Sequence, residues 1–255
     1  LEYEHIPLAE QLDLGIRKLE LDVFYVSKEE QFLVGHVQEI DMNSNCSSLR
    51  ICLNQIIVWS QNNPTHAPIW ISFNAKDEEI LGLPDPEAFT STAFALMDSI
   101  IEEVLGDQLI RPLEVAGLNW PLLSDGRGKF IMILDEGGTK RDMYYEGWQQ
   151  RPMFTNAPEG HPAAGIMILN EPIEQFDEIQ RLVAAGYMVR TRADADTREA
   201  RDNNTSRRDA AFASGAQAIS TDYYLPATHF GNDYQVILPQ VIKCNLVAVP
   251  ASCQV

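Results

Sequence analysis

Leu19-Glu20-Leu21-Asp22-Val23 alternates apolar and acidic side chains. On a strand, successive side chains point to opposite faces. Leu19, Leu21 and Val23 therefore share one face, and Glu20 and Asp22 share the other. In a sheet covered by helices the apolar face packs outward, and the two acids point inward near the strand's C-terminal end. Carboxylates this close repel one another unless a proton or a cation lies between them. Their oxygens suit a hard divalent cation, Ca²⁺ or Mg²⁺, which makes Glu20 and Asp22 candidate metal ligands. On an edge strand the same acids would only face water, but apolar segments flank the run on both sides.

Further runs with strand character follow: Phe32 to Val37, Pro68 to Phe73, Phe130 to Leu134, Gly165 to Leu169, Tyr187 to Thr191 and Ala216 to Ser220. With Leu19 to Tyr25 they make seven. They mix continuous apolar stretches with alternation, as strands buried on both faces do. Helical patterns lie between them. Leu49 to Gln61 repeats apolar residues at the helical period, and Pro86 to Leu105 carries a stripe from Phe89 to Val104. Pro172 opens a segment that Gly186 closes, and Arg207 to Ser214 ends at Gly215. Repeated strand–helix alternation predicts an α/β fold with a parallel sheet. Seven strands without a clear edge fit a TIM-type (β/α)8 barrel whose first strand lies upstream of Leu1, as a single domain over residues 1–255. A doubly wound sheet is the alternative, but neither G-x-G-x-x-G nor a Walker-A loop occurs. Gly147 to Ala164 and Asp194 to Ser206 read as long loops, the places where a barrel builds its site.

Composition narrows the function classes. Asp plus Glu number 37 against 19 Lys plus Arg, a formal charge of −18. Such a surface repels phosphate backbones, so no nucleic-acid partner is expected. No run approaches the roughly 18 apolar residues of a membrane-spanning helix. Of the four cysteines, Cys46 and Cys52 lie six apart, and Cys244 and Cys253 lie nine apart. Two disulfides in an oxidising compartment and four buried thiols are both compatible with this pattern. If Cys46 bonds Cys52, Cys46 must precede the helix, because two such positions on one helix are too far apart. No C-x-x-C spacing points to a cysteine metal site.

More candidates follow Glu20 and Asp22 along the chain. His36, at the end of the next run, is a candidate general acid or base. Asn74 and Lys76 alternate at the end of the third run; Asn74 offers a carbonyl oxygen to a metal and Lys76 a charge to a phosphate. Arg190, Arg192 and Asp194 alternate on another strand, an arrangement suited to an anionic substrate. Tyr223 follows the last strand, where its ring could stack on a sugar or pack in a core. Trp148, Met153 and Phe154 suit either a membrane contact or a barrel rim. His5, His66, His161 and His229 read as structural. Asp135 and Glu136 are adjacent on one strand and so face opposite sides, which excludes a glycosidase pair.

Several blocks together resemble the bacterial calcium-dependent phosphoinositide phospholipase C family. They are Pro7 to Leu12, Leu19 to Val23, His36-Val37 with Ile40-Asp41, Trp59-Ser60 with Asn63-Pro64, Lys76-Asp77, Arg190 to Thr197, Ser220 to Tyr224 and Cys244-Asn245. The resemblance implies a TIM-type barrel that uses Ca²⁺ to cleave a phosphodiester beside an inositol ring, releasing diacylglycerol and a cyclic phosphate. It implies Glu20 and Asp22 as calcium ligands and His36 as the second of two histidines; beside them the residue pattern offers Asn74 to the metal and Lys76, Arg192, Asp194 and Tyr223 to the substrate. It also implies a phosphoinositide lipid substrate, transient membrane-surface contact, a monomer, and a secreted or periplasmic location. The family's first histidine and the asparagine ligand after it fall upstream of Leu1, so the 255 residues by themselves are expected to be impaired. Asn74 stands where the family usually has glutamate, and losing that charge should weaken calcium binding. Glycerophosphodiester phosphodiesterases share the Glu-x-Asp pair but read His-Asp where this chain has His36-Val37. A barrel that binds sugar phosphates without cleaving them is a third reading, supported by Asn74.

Overall fold

The structure, a computed structural model, describes residues 4–238, 240–245 and 247–248. The chain forms two compact units, Ile6–Gly165 and Ile166–Val255 with Leu1–His5. The first holds strands β1 (Lys18–Val26), β2 (Gln31–Val34), β3 (Ile69–Ala75), β4 (Phe130–Leu134) and β5 (Met153–Thr155). Its α-helices are α1 (Leu8–Asp13), α2 (Leu49–Asn62), α3 (Ser91–Leu105), α4 (Leu123–Gly126) and α5 (Gly138–Tyr145). The sheet order is β2-β1-β3-β4-β5. The second unit holds a sheet β6 (Ile166–Ile168), β7 (Met188–Arg192) and β8 (Ala218–Ser220), with α6 (Phe176–Ala184), α7 (Arg198–Asp202) and α8 (Ser206–Ser214).

The alternation of β1 sorts its side chains as the sequence requires. Leu19, Leu21 and Val23 are buried in one core with Ile71, Phe73 and Ala75 of β3, Leu53 and Ile56 of α2, and Phe94 and Met97 of α3. Ser48 starts α2 by accepting from the Ile51 amide, and Thr90 starts α3 by accepting from the Ala93 amide. Truncating a side chain in this core, such as Phe73, costs about 3–5 kcal/mol.

Three elements differ from expectation. β2 is not a parallel strand: it pairs antiparallel with β1, Val23 opposite Val34. Only Ser27 to Glu30 connect the two, and a parallel crossover needs a dozen residues or more. Glu30 takes a left-handed conformation, φ 49°, to close this turn. In its place β5 joins the parallel set beside β4, Met132 opposite Met153, within a stretch whose prolines read as loop. Among the described residues the parallel strands are thus β1, β3, β4, β5, β6, β7 and β8. The count of seven stands with one member exchanged. Helix α7 lies inside the second expected loop, its Ala200 fully buried. Helix α3 begins after the expected Pro86, because Glu87 is engaged in a bridge to Tyr25 and holds that segment extended.

Candidate functional site

In the parallel register of β1 and β3, Glu20 stands opposite Ser72 and Asp22 opposite Asn74. These polar side chains occupy the face away from the apolar core. The Asn74 amide nitrogen donates to Glu20 Oε1 at 3.0 Å and to Asp22 Oδ1 at 2.7 Å. Lys76 Nζ lies 3.2 Å from Asp22 Oδ2. Lys18 pairs with Glu20, and the Ser72 hydroxyl donates to Glu20 Oε2 at 3.3 Å. Each carboxylate thus holds one ammonium and shares one amide. Burial pushes the Asp22 carboxyl above its ordinary range, while the Asn74 hydrogen bond and the Lys76 charge pull it down.

His36 begins the loop between β2 and α2. The Gly35 amide donates to the Asp22 carbonyl at 3.2 Å, which ties the start of this loop to the acidic strand. The imidazole is exposed, and its Nδ1 lies 3.6 Å from Asp41 Oδ2. The His36 amide also donates to the Asp41 carbonyl at 2.8 Å. Among the described residues no three His, Cys, Asp or Glu side chains gather as a metal cage. His36 stands apart from the two acids, where it can serve proton transfer rather than ligation. The loop returns to α2 through a Cys46–Cys52 disulfide with Cα atoms 5.1 Å apart. Cys46 precedes the helix, as the spacing demanded. The second expected pair involves Cys253, which lies outside the described residues.

Beyond Asn74 and Lys76 the chain is clamped by Lys140 on α5. Its ammonium reaches the Ala75 carbonyl at 2.7 Å, Asp77 at 2.8 Å, and Glu78 and Glu136 at 3.0 Å. Burial opposes the charge on Lys140, but these carboxylates outweigh it and hold its pKa above the ordinary value. Burial pushes Glu136 up, and Glu136 Oε1 accepts from the Ala75 amide at 2.6 Å. The loop beyond this clamp exposes Ile80 and Leu81, the latter completely.

In the second unit, buried Arg190 donates to Ser220 Oγ at 2.8 Å and Asn170 Oδ1 at 2.6 Å. Arg192, next on the same face of β7, is half-buried. Asp194 is 4% exposed. It accepts from the Thr221 hydroxyl at 2.5 Å, the Asp222 amide at 3.0 Å and the Tyr234 hydroxyl at 3.3 Å. Burial is the largest influence and pushes its pKa up to about 6, against the pull of these donors. Tyr223, 2% exposed, packs edge-on against Tyr234 with ring centroids 5.8 Å apart, a core position. Met153 and Phe154 are likewise buried, in the first unit. His66 is buried on Ser60 and the Ala67 carbonyl, a structural histidine as expected.

Residues 25–246 match the family described as phosphoinositide phospholipase C, Ca²⁺-dependent. The chain belongs to this family. A Ca²⁺-dependent phosphatidylinositol-specific phospholipase C from Streptomyces antibioticus is similar in structure, with TM-score 0.65 and 19% identity, over 88% of this chain and 91% of that one. A calcium-dependent phosphoinositol-specific phospholipase C from a Gram-negative Pseudomonas species, in its myoinositol complex, gives TM-score 0.61 and 16% identity over 89% and 86%. No curated protein sequence matches. The shared fold is α/β of TIM-barrel type, as the order of strands and helices predicts.

Calcium is the cofactor of this phospholipase family, and the β1–β3 cluster fits it in donor chemistry. Glu20, Asp22 and Asn74 all offer oxygens, and Asn74 Nδ2 touches both carboxylates, so the three side chains meet at one point. A half-turn of the Asn74 amide presents its oxygen instead of its nitrogen. Sequence reasoning missed Lys18 and Ser72. For Lys18 the signal was present, since it alternates with Glu20 and Asp22 on one strand. For Lys140 the one local signal was Glu136, four residues earlier; its partners Asp77 and Glu78 lie on another segment.

Proposed function

We propose that this protein cleaves phosphatidylinositol-type lipids into diacylglycerol and an inositol cyclic phosphate, in a calcium-dependent reaction. The observation that carries this reading is the convergence of Glu20, Asp22 and Asn74 at aligned positions of β1 and β3, with Lys76 beside them. Glu20, Asp22 and Asn74 hold the calcium. When bound, the ion lowers the pKa of the inositol 2-hydroxyl and offsets phosphate charge. His36 carries the proton delivered to the departing glycerol oxygen. Asp41, with Oδ2 3.6 Å from Nδ1, keeps the imidazole oriented. Lys76 binds phosphate oxygens; in the second unit half-buried Arg192 is suited to an anionic group, whereas Asp194 and Tyr223 are sealed in its core. The myoinositol held by the Pseudomonas relative supports an inositol headgroup.

Residues 1–255 are read as one catalytic domain, because the family match runs through both units. The disulfide supports a secreted or periplasmic protein. No described helix is long and apolar enough to cross a membrane. Exposed Ile80 and Leu81 support transient contact of a monomer with the lipid surface. The test is product analysis with the full-length protein on phosphatidylinositol and on glycerophosphoinositol, each with Ca²⁺ and with chelator. Calcium-dependent release of diacylglycerol and inositol phosphate is the expected result. Cleavage of the deacylated diester alone marks a glycerophosphodiesterase. Turnover of neither, with inositol phosphate still bound, marks a binding barrel, with Asn74 as the reason.

A further inference from the structure

Two features of the β1–β3 cluster go beyond a ligand set. First, Asp22 faces a cation of the chain's own. Lys76 Nζ sits 3.2 Å from Asp22 Oδ2, and both side chains are partly open to solvent, 28% and 14%. Second, the position that would complete a carboxylate cage holds Asn74, whose amide nitrogen spans both acids. The acids are therefore balanced by Lys18, Lys76 and the Asn74 amide. An acid engaged by an ammonium is a poorer calcium ligand, since the two cations repel and compete for the same oxygens. The backbone fixes this arrangement. The Lys76 amide donates to the Val23 carbonyl at 2.9 Å, so the backbone anchors Lys76 beside Asp22, and its ammonium sits at the solvent-facing end of a long side chain.

We propose that Lys76 is a built-in counter-cation that calcium displaces from Asp22, and that the released ammonium then engages the substrate phosphate. The inference rests on the assignment of Glu20, Asp22 and Asn74 as calcium ligands. Its consequence is coupling. Calcium entry frees a phosphate-binding group, and an occupied phosphate site keeps Lys76 away from Asp22. Each ligand therefore tightens the other by the same factor. Lys76 acts here by positioning charge. Its role is visible in binding, without turnover.

The experiment is calorimetric titration of the full-length protein with Ca²⁺, alone and with saturating myo-inositol 1-phosphate. It is run on wild type, Lys76→Met and Lys76→Arg. Lys76→Met is expected to bind calcium about tenfold tighter than wild type, as removal of a competing charge should allow. It is also expected to lose the tightening that inositol phosphate gives the wild type. Lys76→Arg keeps the charge and should stay within about twofold of wild type. Equal or weaker calcium binding by Lys76→Met overturns the counter-cation, while leaving the phospholipase reading intact. An unchanged calcium affinity of wild type on adding inositol phosphate overturns it independently, so the idea does not hang on one variant's folding. Absence of any calcium binding by wild type removes the ligand assignment itself, and the counter-cation with it.

Discussion

Two acids with raised pKa values occupy opposite kinds of surroundings. Asp22 is held by an amide and an ammonium on a half-open face. Asp194 is sealed, and its donors are hydroxyls and a backbone amide. Burial lifts both. The partners differ in what can replace them. A partly exposed ammonium can exchange for another cation, whereas a buried ring of neutral donors offers no path for exchange. The first arrangement is suited to ligand chemistry, the second to fixing the segment after β7 against Thr221 and Tyr234. Substitutions at the open face should therefore change function and leave stability alone. Substitution of the sealed acid should do the reverse.

The largest expected effect is at His36. His36→Ala should lower phosphatidylinositol cleavage by about 10²–10⁴-fold. The imidazole is exposed, so the melting temperature should not move. A variant that keeps near-wild-type turnover would remove the open face from the chemistry. Next is Asp194→Ala, expected to destabilise by about 2–3 kcal/mol in urea unfolding, since it strands buried donors. Its pH dependence sharpens the contrast. The folded pKa, about 6, lies above the ordinary 3.8, so the folded state holds this proton more tightly. The stability contributed by Asp194 therefore grows as pH falls from about 6 to about 4, and is lost as pH rises back through that window. The stability gap between wild type and Asp194→Ala should widen in acid; a gap constant across that range refutes the sealed site.

Removing the staple by Cys46→Ser with Cys52→Ser should cost about 2 kcal/mol, given the short loop it closes. It should also lower turnover, because the loop bearing His36 then loses its covalent tie to α2. Equal turnover would separate the staple from the site. Asn74→Glu should strengthen calcium binding several-fold, by restoring a carboxylate to the cluster; titration showing no gain would mean that Asn74 is no ligand. The smallest effect belongs to Leu81→Ser. Its unfolding free energy should stay within about 0.5 kcal/mol of wild type, because Leu81 packs against nothing. Retention on phosphatidylinositol vesicles should fall. Unchanged retention would leave that loop without a lipid role.

Local pattern carried much of this. The alternation of β1 assigned Glu20 and Asp22 to one face before any neighbour was known, and Asn74 and Lys76 followed from the same two-residue period on β3. Antiparallel β2 was legible in principle, because the four residues from Ser27 to Glu30 cannot cross over a sheet. Strand β5 was obscured by the prolines at 152 and 158 that bound it. Tertiary partners were beyond reach: that Lys140 gathers Asp77 and Glu78, or that Tyr223 lies in a core, depends on contacts between segments apart in sequence. The resemblance supplied roles, and geometry supplied the cations already standing at the acids.

The tight turn between β1 and β2 has a bearing on how the protein is built. Because it returns the chain at once, Asp22 meets Gly35 through neighbours close in sequence, and His36 follows directly. A hairpin of this kind closes within microseconds, long before contacts that span the chain. The acids and the histidine can thus find their mutual order early in folding. The later steps bring Asn74 and Lys76 alongside when β3 docks, and calcium can stabilise only what that docking completes.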